Sequence, residues 1–230
     1  MPERLRVEVS PQESTTAIVY PAAAKHRAGV ALILGHGAGQ TSDFMKSFAV
    51  GLATRGIDVL TFNFLYREQG RRIPDPNDRL EACWRTVINA VRARITSDGD
   101  ALAIGGKSMG GRIASQVAAA GISGLAGLVF LGYPLHPPGR PDRLRSKHLS
   151  AIRAPMLFVQ GSRDPFGTPE ELRPITSSLK PAADLYVVEG GDHSFKVRKG
   201  TGVSQEDVYR AIQDHIAAWL REMAAVLKAR

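Results

Sequence analysis

The sequence predicts an α/β protein in one domain, 1–230, built as a mostly parallel twisted sheet with helices on both faces. Three observations predict it. Short β-branched or aliphatic runs alternate with longer amphipathic segments along the chain. One run, Gly29 to Leu34, reads as a strand buried on both faces and ends in a glycine-rich turn. With 230 residues, 43% hydrophobic and 23% charged, the chain is long enough to bury a sizeable core.

Leu5 to Val9 and Thr16 to Tyr20 open the chain and lie too close together for a crossover helix, so an antiparallel edge is expected. Gly29 to Leu34 follows, and apolar positions at helical spacing continue it with a helix over Ser42 to Arg55. Asp58 to Phe64 is the next strand. Asp78, with Glu81 three residues on, starts a helix that runs to Thr96. Ala101 to Gly105 and Met109 to Ala120 form a further strand and helix. Gly127 to Leu131, Met156 to Gln160 and Ala183 to Val188 complete the sheet, accompanied by helices at Pro169 to Leu179 and Ser204 to Lys228. Ser204 with Asp207 marks the start of the last helix. The connection between Leu131 and Met156, with its proline-rich loop Pro134 to Pro141, is too short for a substantial cap domain.

Composition narrows the function classes. No apolar run approaches the roughly 20 residues that cross a bilayer, and Met1 to Arg6 lacks the apolar core of a signal peptide. A cytoplasmic protein with no membrane partner is expected. The one cysteine, Cys83, leaves no internal disulfide, and Leu80, Val87 and Val91 around it point to an apolar helix face. A net charge of +8 raises polyanion binding, but apart from Arg67 with Arg71-Arg72 and Arg140 to Lys147 the Arg and Lys residues are scattered, and no nucleic-acid motif accompanies them. The basicity therefore fits solubility, or a bias toward an anionic small molecule.

The chemistry-bearing residues gather at strand ends. Gly106-Lys107-Ser108-Met109-Gly110 lies between a strand and a helix, the context of a nucleophile elbow, in which a sharp turn lifts a serine oxygen above the sheet. The turn after Leu34, Gly35-His36-Gly37-Ala38-Gly39, frees backbone N–H groups to meet developing negative charge; Ala38 and Met109 are the expected donors, with a structural role for the His36 side chain. Asp164 follows the strand Met156 to Gln160, and His193 follows Ala183 to Val188. Ligand sites of open α/β sheets lie at the carboxyl ends of the strands, and Ser108, Asp164 and His193 meet there in the order a nucleophile-elbow protein requires. Asp192 and then Glu189 are weaker choices for the acid, and His26, His136, His148 and His215 are poorer bases. Tyr66, Arg67, Tyr133 and Phe166 follow or adjoin strand ends and are expected to line the substrate site, as is Phe44.

On His36-Gly37-Ala38-Gly39, Gly106 to Arg112, Gly161-Ser162-Arg163-Asp164 and Gly191-Asp192-His193-Ser194-Phe195, the chain resembles the α/β-hydrolase fold superfamily. It is similar to the small lidless members, the dienelactone hydrolases and the hydrolases related to the human testis-expressed hydrolase-like group, from about residue 16 onward. The dienelactone enzymes carry a cysteine nucleophile; Ser108 stands here, so their substrate is not carried over. The expected activity is serine-dependent hydrolysis of a small ester-like substrate without metal or organic cofactor. Arg67, Lys107 and Arg112 would favour an anionic acyl group, although structural contacts around the elbow suit Lys107 and Arg112 better.

Two rival readings remain. Gly106-Lys107-Ser108 also ends a Walker A motif, but that motif needs glycine where Ala101 stands, and its loop would fall on the strand Leu102-Ala103-Ile104. A non-catalytic scaffold of the same fold, meeting a partner through its basic surface, is the other.

Overall fold

The computed structural model describes residues 2–23, 27–95, 100–198 and 202–229. Eight strands form one sheet in the order β1-β2-β4-β3-β5-β6-β7-β8. β1 (Glu3–Ser10), β2 (Glu13–Tyr20) and β4 (Asp58–Phe62) pair antiparallel, which includes the expected edge hairpin. From β4 onward through β3 (Val30–His36), β5 (Ala101–Lys107), β6 (Leu125–Leu131), β7 (Met156–Gly161) and β8 (Asp184–Val188) every pair is parallel. Parallel neighbours need crossovers, and helices supply them. These are α1 (Asp43–Thr54), α3 (Asn77–Ile95), α4 (Met109–Ala119) and α5 (Pro169–Ser178), with α6 (Gln205–Lys228) closing the chain.

β3 has β4 on one side and β5 on the other, so the chain leaves β3 in one direction and later returns on the opposite flank. At such a switch point the two outgoing loops diverge and open a crevice above the carboxyl ends of the strands. Those loops are the His36 to Gly39 turn and the Ser108 elbow.

The sheet separates two apolar layers. Trp84, Cys83, Val87 and Ile113, from α3 and α4, cover one face together with Phe62, Phe130 and Phe158. Met45, Phe48, Leu52, Ile216 and Leu220, from α1 and α6, cover the other. β3, β5 and β6 bury side chains on both faces, which is why their sequences are apolar without alternation. Cys83 is one of these core residues, and burial raises its thiol to about 12, so it stays neutral and inert.

Several boundaries depart from the sequence reading by one to three residues. β4 ends at Phe62, two residues before the expected Phe64, because Asn63 and Phe64 turn into a short helix α2 (Leu65–Glu68). α3 begins at Asn77, one residue early. A 3₁₀ turn over Lys147–Ala151 lies in the connection from β6 to β7, which holds no cap domain. His26 and Thr96 fall outside the described residues. Among the described residues no helix is long and apolar enough to cross a membrane.

Candidate active site

The elbow is built by close backbone approach. A Cβ on Gly106, whose φ is +150°, would sit 2.1 Å from the Gly35 carbonyl oxygen, and one on Gly110 would sit 1.9 Å from the same atom. Neither position tolerates a side chain, so the pentad's glycines let β5 and α4 close against the end of β3. Between them Ser108 takes φ +52° and ψ −120°, a conformation that costs a non-glycine residue about 1–3 kcal/mol. The result is a serine hydroxyl held clear of both strand and helix, half-exposed at the sheet's edge.

Two loops bring partners to it. Ser108 Oγ donates to His193 Nε2 at 2.9 Å, and His193 Nδ1 donates to Asp164 Oδ2 at 2.7 Å. The carboxylate fixes the tautomer, because only a protonated Nδ1 satisfies it, and this leaves Nε2 as the acceptor facing the serine. The imidazole keeps 20% side-chain exposure while the carboxylate has none, so the network runs from solvent into the core. Phe166 lies against the imidazole, with ring centroids 4.3 Å apart. Behind His193, Phe195 takes φ +61° and is buried against Phe44 and Phe48, anchoring the loop.

Asp164 is held from three directions. Oδ1 accepts the Phe166 N–H at 2.9 Å, and Oδ2 accepts both His193 and Gln160 Nε2, the latter also at 2.9 Å. Gln160 is fully buried and accepts the Tyr133 N–H at 2.8 Å through Oε1. Sequence reasoning missed Gln160; the available signal was an amide closing an otherwise apolar strand four residues before the acid. Asp192, the second choice, is occupied otherwise: its Oδ1 accepts the N–H groups of Ser194 and Lys196 and shapes the histidine loop. Glu189 is exposed.

In the turn after β3, His36 Nδ1 meets Ser42 Oγ at 3.2 Å, and burial, aided by Lys107, lowers His36 to about 4. It is neutral and structural, as expected. The Ala38 N–H has no acceptor among the described residues, and Met109 is the first residue of α4, where backbone N–H groups lack intrahelical partners. Met109 directly follows Ser108, and His36, two residues before Ala38, pairs with Lys107 across β3 and β5.

Lys107 points to the opposite side from Ser108. It is 3% exposed, and its ammonium stands 5.8 Å from the Phe44 ring centroid with no hydrogen-bond partner among the described residues. It also lies 3.1 Å from where a Cβ on Gly132 would sit, a place 3.3 Å from His193 Nδ1. Burial lowers it to about 8 against the attraction of Asp164 and Asp192. Arg112 reaches Gln116 and Asn77 instead of the serine.

A family model described as an alpha/beta hydrolase domain matches residues 28–221. The chain belongs to this α/β-hydrolase family.

Solved structures that share this α/β-hydrolase fold include lidless proteins. The structure of a lidless α/β serine hydrolase from Xanthomonas campestris matches with TM-score 0.70 at 20% identity, over 97% of this chain and 94% of that one. A dienelactone hydrolase from Anabaena variabilis matches with TM-score 0.72 at 18% identity, over 96% and 98%. The esterase domain of a Rhodothermus marinus protein gives TM-score 0.72 at 14% identity, over 96% and 98%.

Within this α/β-hydrolase domain, two expected lining residues need correction. Tyr66 and Tyr133 are each 1% exposed, with hydroxyls donating to the Gly37 and Arg145 carbonyls, so they pack beneath the site and do not line it. Phe166 adjoins His193, and Phe44 packs under the histidine loop. Arg67 is half-buried beside the glycine turn; its Nε lies 3.6 Å from where a Cβ on Gly39 would be, and it forms no ion pair among the described residues.

Proposed function

We propose that the protein is a serine hydrolase that cleaves small ester-like substrates, carboxylesters or thioesters, through a covalent acyl-enzyme. The observation that carries this reading is the continuous hydrogen-bonded chain from Ser108 Oγ through His193 to Asp164. Ser108 attacks the carbonyl carbon as His193 Nε2 takes its proton, and Asp164 stabilises the imidazolium that forms. The Ala38 and Met109 amides bind the oxyanion, and His193 then protonates the leaving group. Water repeats the sequence on the acyl-enzyme. The reading assigns each step to groups of this chain and calls for no cofactor.

A fluorophosphonate tests the proposal. The expected outcome is stoichiometric labelling at Ser108, read by mass spectrometry of the peptide. A wild-type protein that stays unlabelled over hours would favour the non-catalytic scaffold.

Arg67 supports a narrower version in which the acyl group carries a carboxylate. With Lys107 buried and Arg112 engaged elsewhere, Arg67 is the cation left beside the turn. A half-buried pairing with a carboxylate is worth about 1.5–3 kcal/mol, so kcat/KM for a hemisuccinate aryl ester should exceed that of the neutral butyrate analogue by roughly tenfold or more. Arg67→Met should remove the difference. Equal rates for the two esters would sink the anionic preference and leave the hydrolase reading untouched.

A further inference from the structure

Tyr66 is buried beneath the backbone proposed to bind the oxyanion. Its hydroxyl donates to the Gly37 carbonyl at 2.5 Å. That carbonyl belongs to the same peptide unit as the Ala38 N–H, and in a trans peptide the two point in opposite directions. Holding the oxygen toward Tyr66 therefore aims the N–H away from it. A Cβ on Gly37 would be 3.4 Å from Tyr66 Oη, 3.2 Å from Met109 Cε and 3.7 Å from Met109 Cβ. Gly37 is thus crowded by both the tyrosine and the residue proposed to supply the second amide.

Tyr66 is itself fixed. Its backbone N–H donates to Asp75 Oδ2 at 3.1 Å, and its carbonyl accepts the Arg71 N–H at 2.8 Å. Asp75 is buried and paired with Arg71, and Arg79 Nε stands 3.6 Å from it. The Phe64 ring stacks on Tyr66, with planes 16° apart. A short helix with both ends tied places one hydroxyl under one carbonyl.

We infer that Tyr66 is a positioning residue whose hydroxyl clamps the Gly37–Ala38 peptide so that the Ala38 amide is aimed at the developing oxyanion. The inference rests on the serine hydrolase reading. It gives an open, solvent-facing turn the preorganisation that oxyanion stabilisation needs, because a donor that must rotate during the reaction loses much of its effect. It also accounts for a tyrosine with one buried polar atom beneath a glycine turn, where phenylalanine would fill the same volume.

Tyr66→Phe removes the clamp and keeps the ring and both backbone hydrogen bonds. Loss of a whole oxyanion donor costs about 10²–10³-fold in kcat, and a loosened donor should cost less, roughly 10–100-fold. The expected result is that fall in kcat for a p-nitrophenyl ester with KM changed by less than about twofold, together with a matching rise in the inhibition constant of phenylboronic acid, whose tetrahedral adduct places a hydroxyl where the oxyanion forms. A purely structural tyrosine would not move kcat and boronate affinity in parallel. Unchanged kcat, or a loss confined to KM, would overturn the inference. An independent arm needs no activity: the Gly37 ¹³C carbonyl and Ala38 ¹⁵N resonances should shift in Tyr66→Phe while those of β5 and α4 stay in place. An inert wild type overturns the hydrolase reading, and these resonances still decide the clamp; if they do not move, the clamp is wrong. If Tyr66→Phe fails to fold, Asp75→Asn, which loosens the same helix, should give the same parallel loss, and parallel behaviour failing there counts against the inference equally.

Discussion

Ser108→Ala is expected to lower kcat for a p-nitrophenyl ester by about 10⁴-fold or more and to abolish fluorophosphonate labelling. The folded state should survive, because alanine meets the same backbone strain at φ +52° that serine already tolerates. The substitution removes one hydrogen bond, Ser108 Oγ to His193 Nε2, worth about 0.5–1.5 kcal/mol net, so the melting temperature should change by only a few degrees. Residual catalysis would come from the two amides and from binding. The measurement also separates Ser108 from a second, buried serine that contacts a histidine: Ser115 Oγ lies 2.7 Å from His148 Nε2. Ser115 is fully buried and donates to the Arg112 carbonyl, so no substrate reaches it. Labelling that persists in Ser108→Ala would move the nucleophile elsewhere and end the present assignment.

The parts of this site legible in the sequence are those fixed by local geometry. A glycine two residues either side of Ser108 reports a steric requirement that any sequence building this elbow must meet, and the strand-end positions of Asp164 and His193 follow from apolar runs that stop at polar turns. Strand order was partly legible too, since β1 and β2 lie too close together to pair in any other way. Residues whose partners are set by sheet register were not legible. Gln160 meets Asp164 and Tyr133 because β6 and β7 pair Leu131 with Val159, which carries the Tyr133 N–H alongside the amide. Tyr66 read as a lining residue because it follows a strand end. Its burial depends on the helix α2, and the run Phe62-Asn63-Phe64 hid that helix by looking like more strand. The structural role that suited Lys107 in the sequence agrees with its burial: its neighbour Ser108 faces the crevice, and the elbow turns the lysine down toward Phe44.

Asp164→Asn should lower kcat by about 10³–10⁴-fold and, unlike Ser108→Ala, should also cost about 1–3 kcal/mol of stability. The reason lies in what surrounds the carboxylate. Both of its oxygens are acceptors: Oδ2 receives His193 Nδ1 and Gln160 Nε2, and Oδ1 receives the Phe166 N–H. An asparagine amide nitrogen placed at the Oδ2 position faces the Gln160 amide, donor against donor, and invites His193 to present an unprotonated Nδ1. The proton then sits on Nε2, aimed at Ser108, and the imidazole has no site to receive the serine's proton. Turned the other way, the amide nitrogen opposes the Phe166 N–H, and the turn that positions the acid loses its hydrogen bond. Neither rotamer is free of conflict, and no water can enter to relieve it at a side chain with no exposure. Asp192→Asn is the informative comparison, because among the described residues the Asp192 carboxylate accepts only backbone N–H groups of the histidine loop. It should leave kcat within about tenfold of wild type. If the two variants lose activity to the same extent, the acid behind His193 is not uniquely Asp164; if Asp164→Asn loses stability but retains kcat, the carboxylate serves the fold and the proposed chemistry needs another partner for the imidazole.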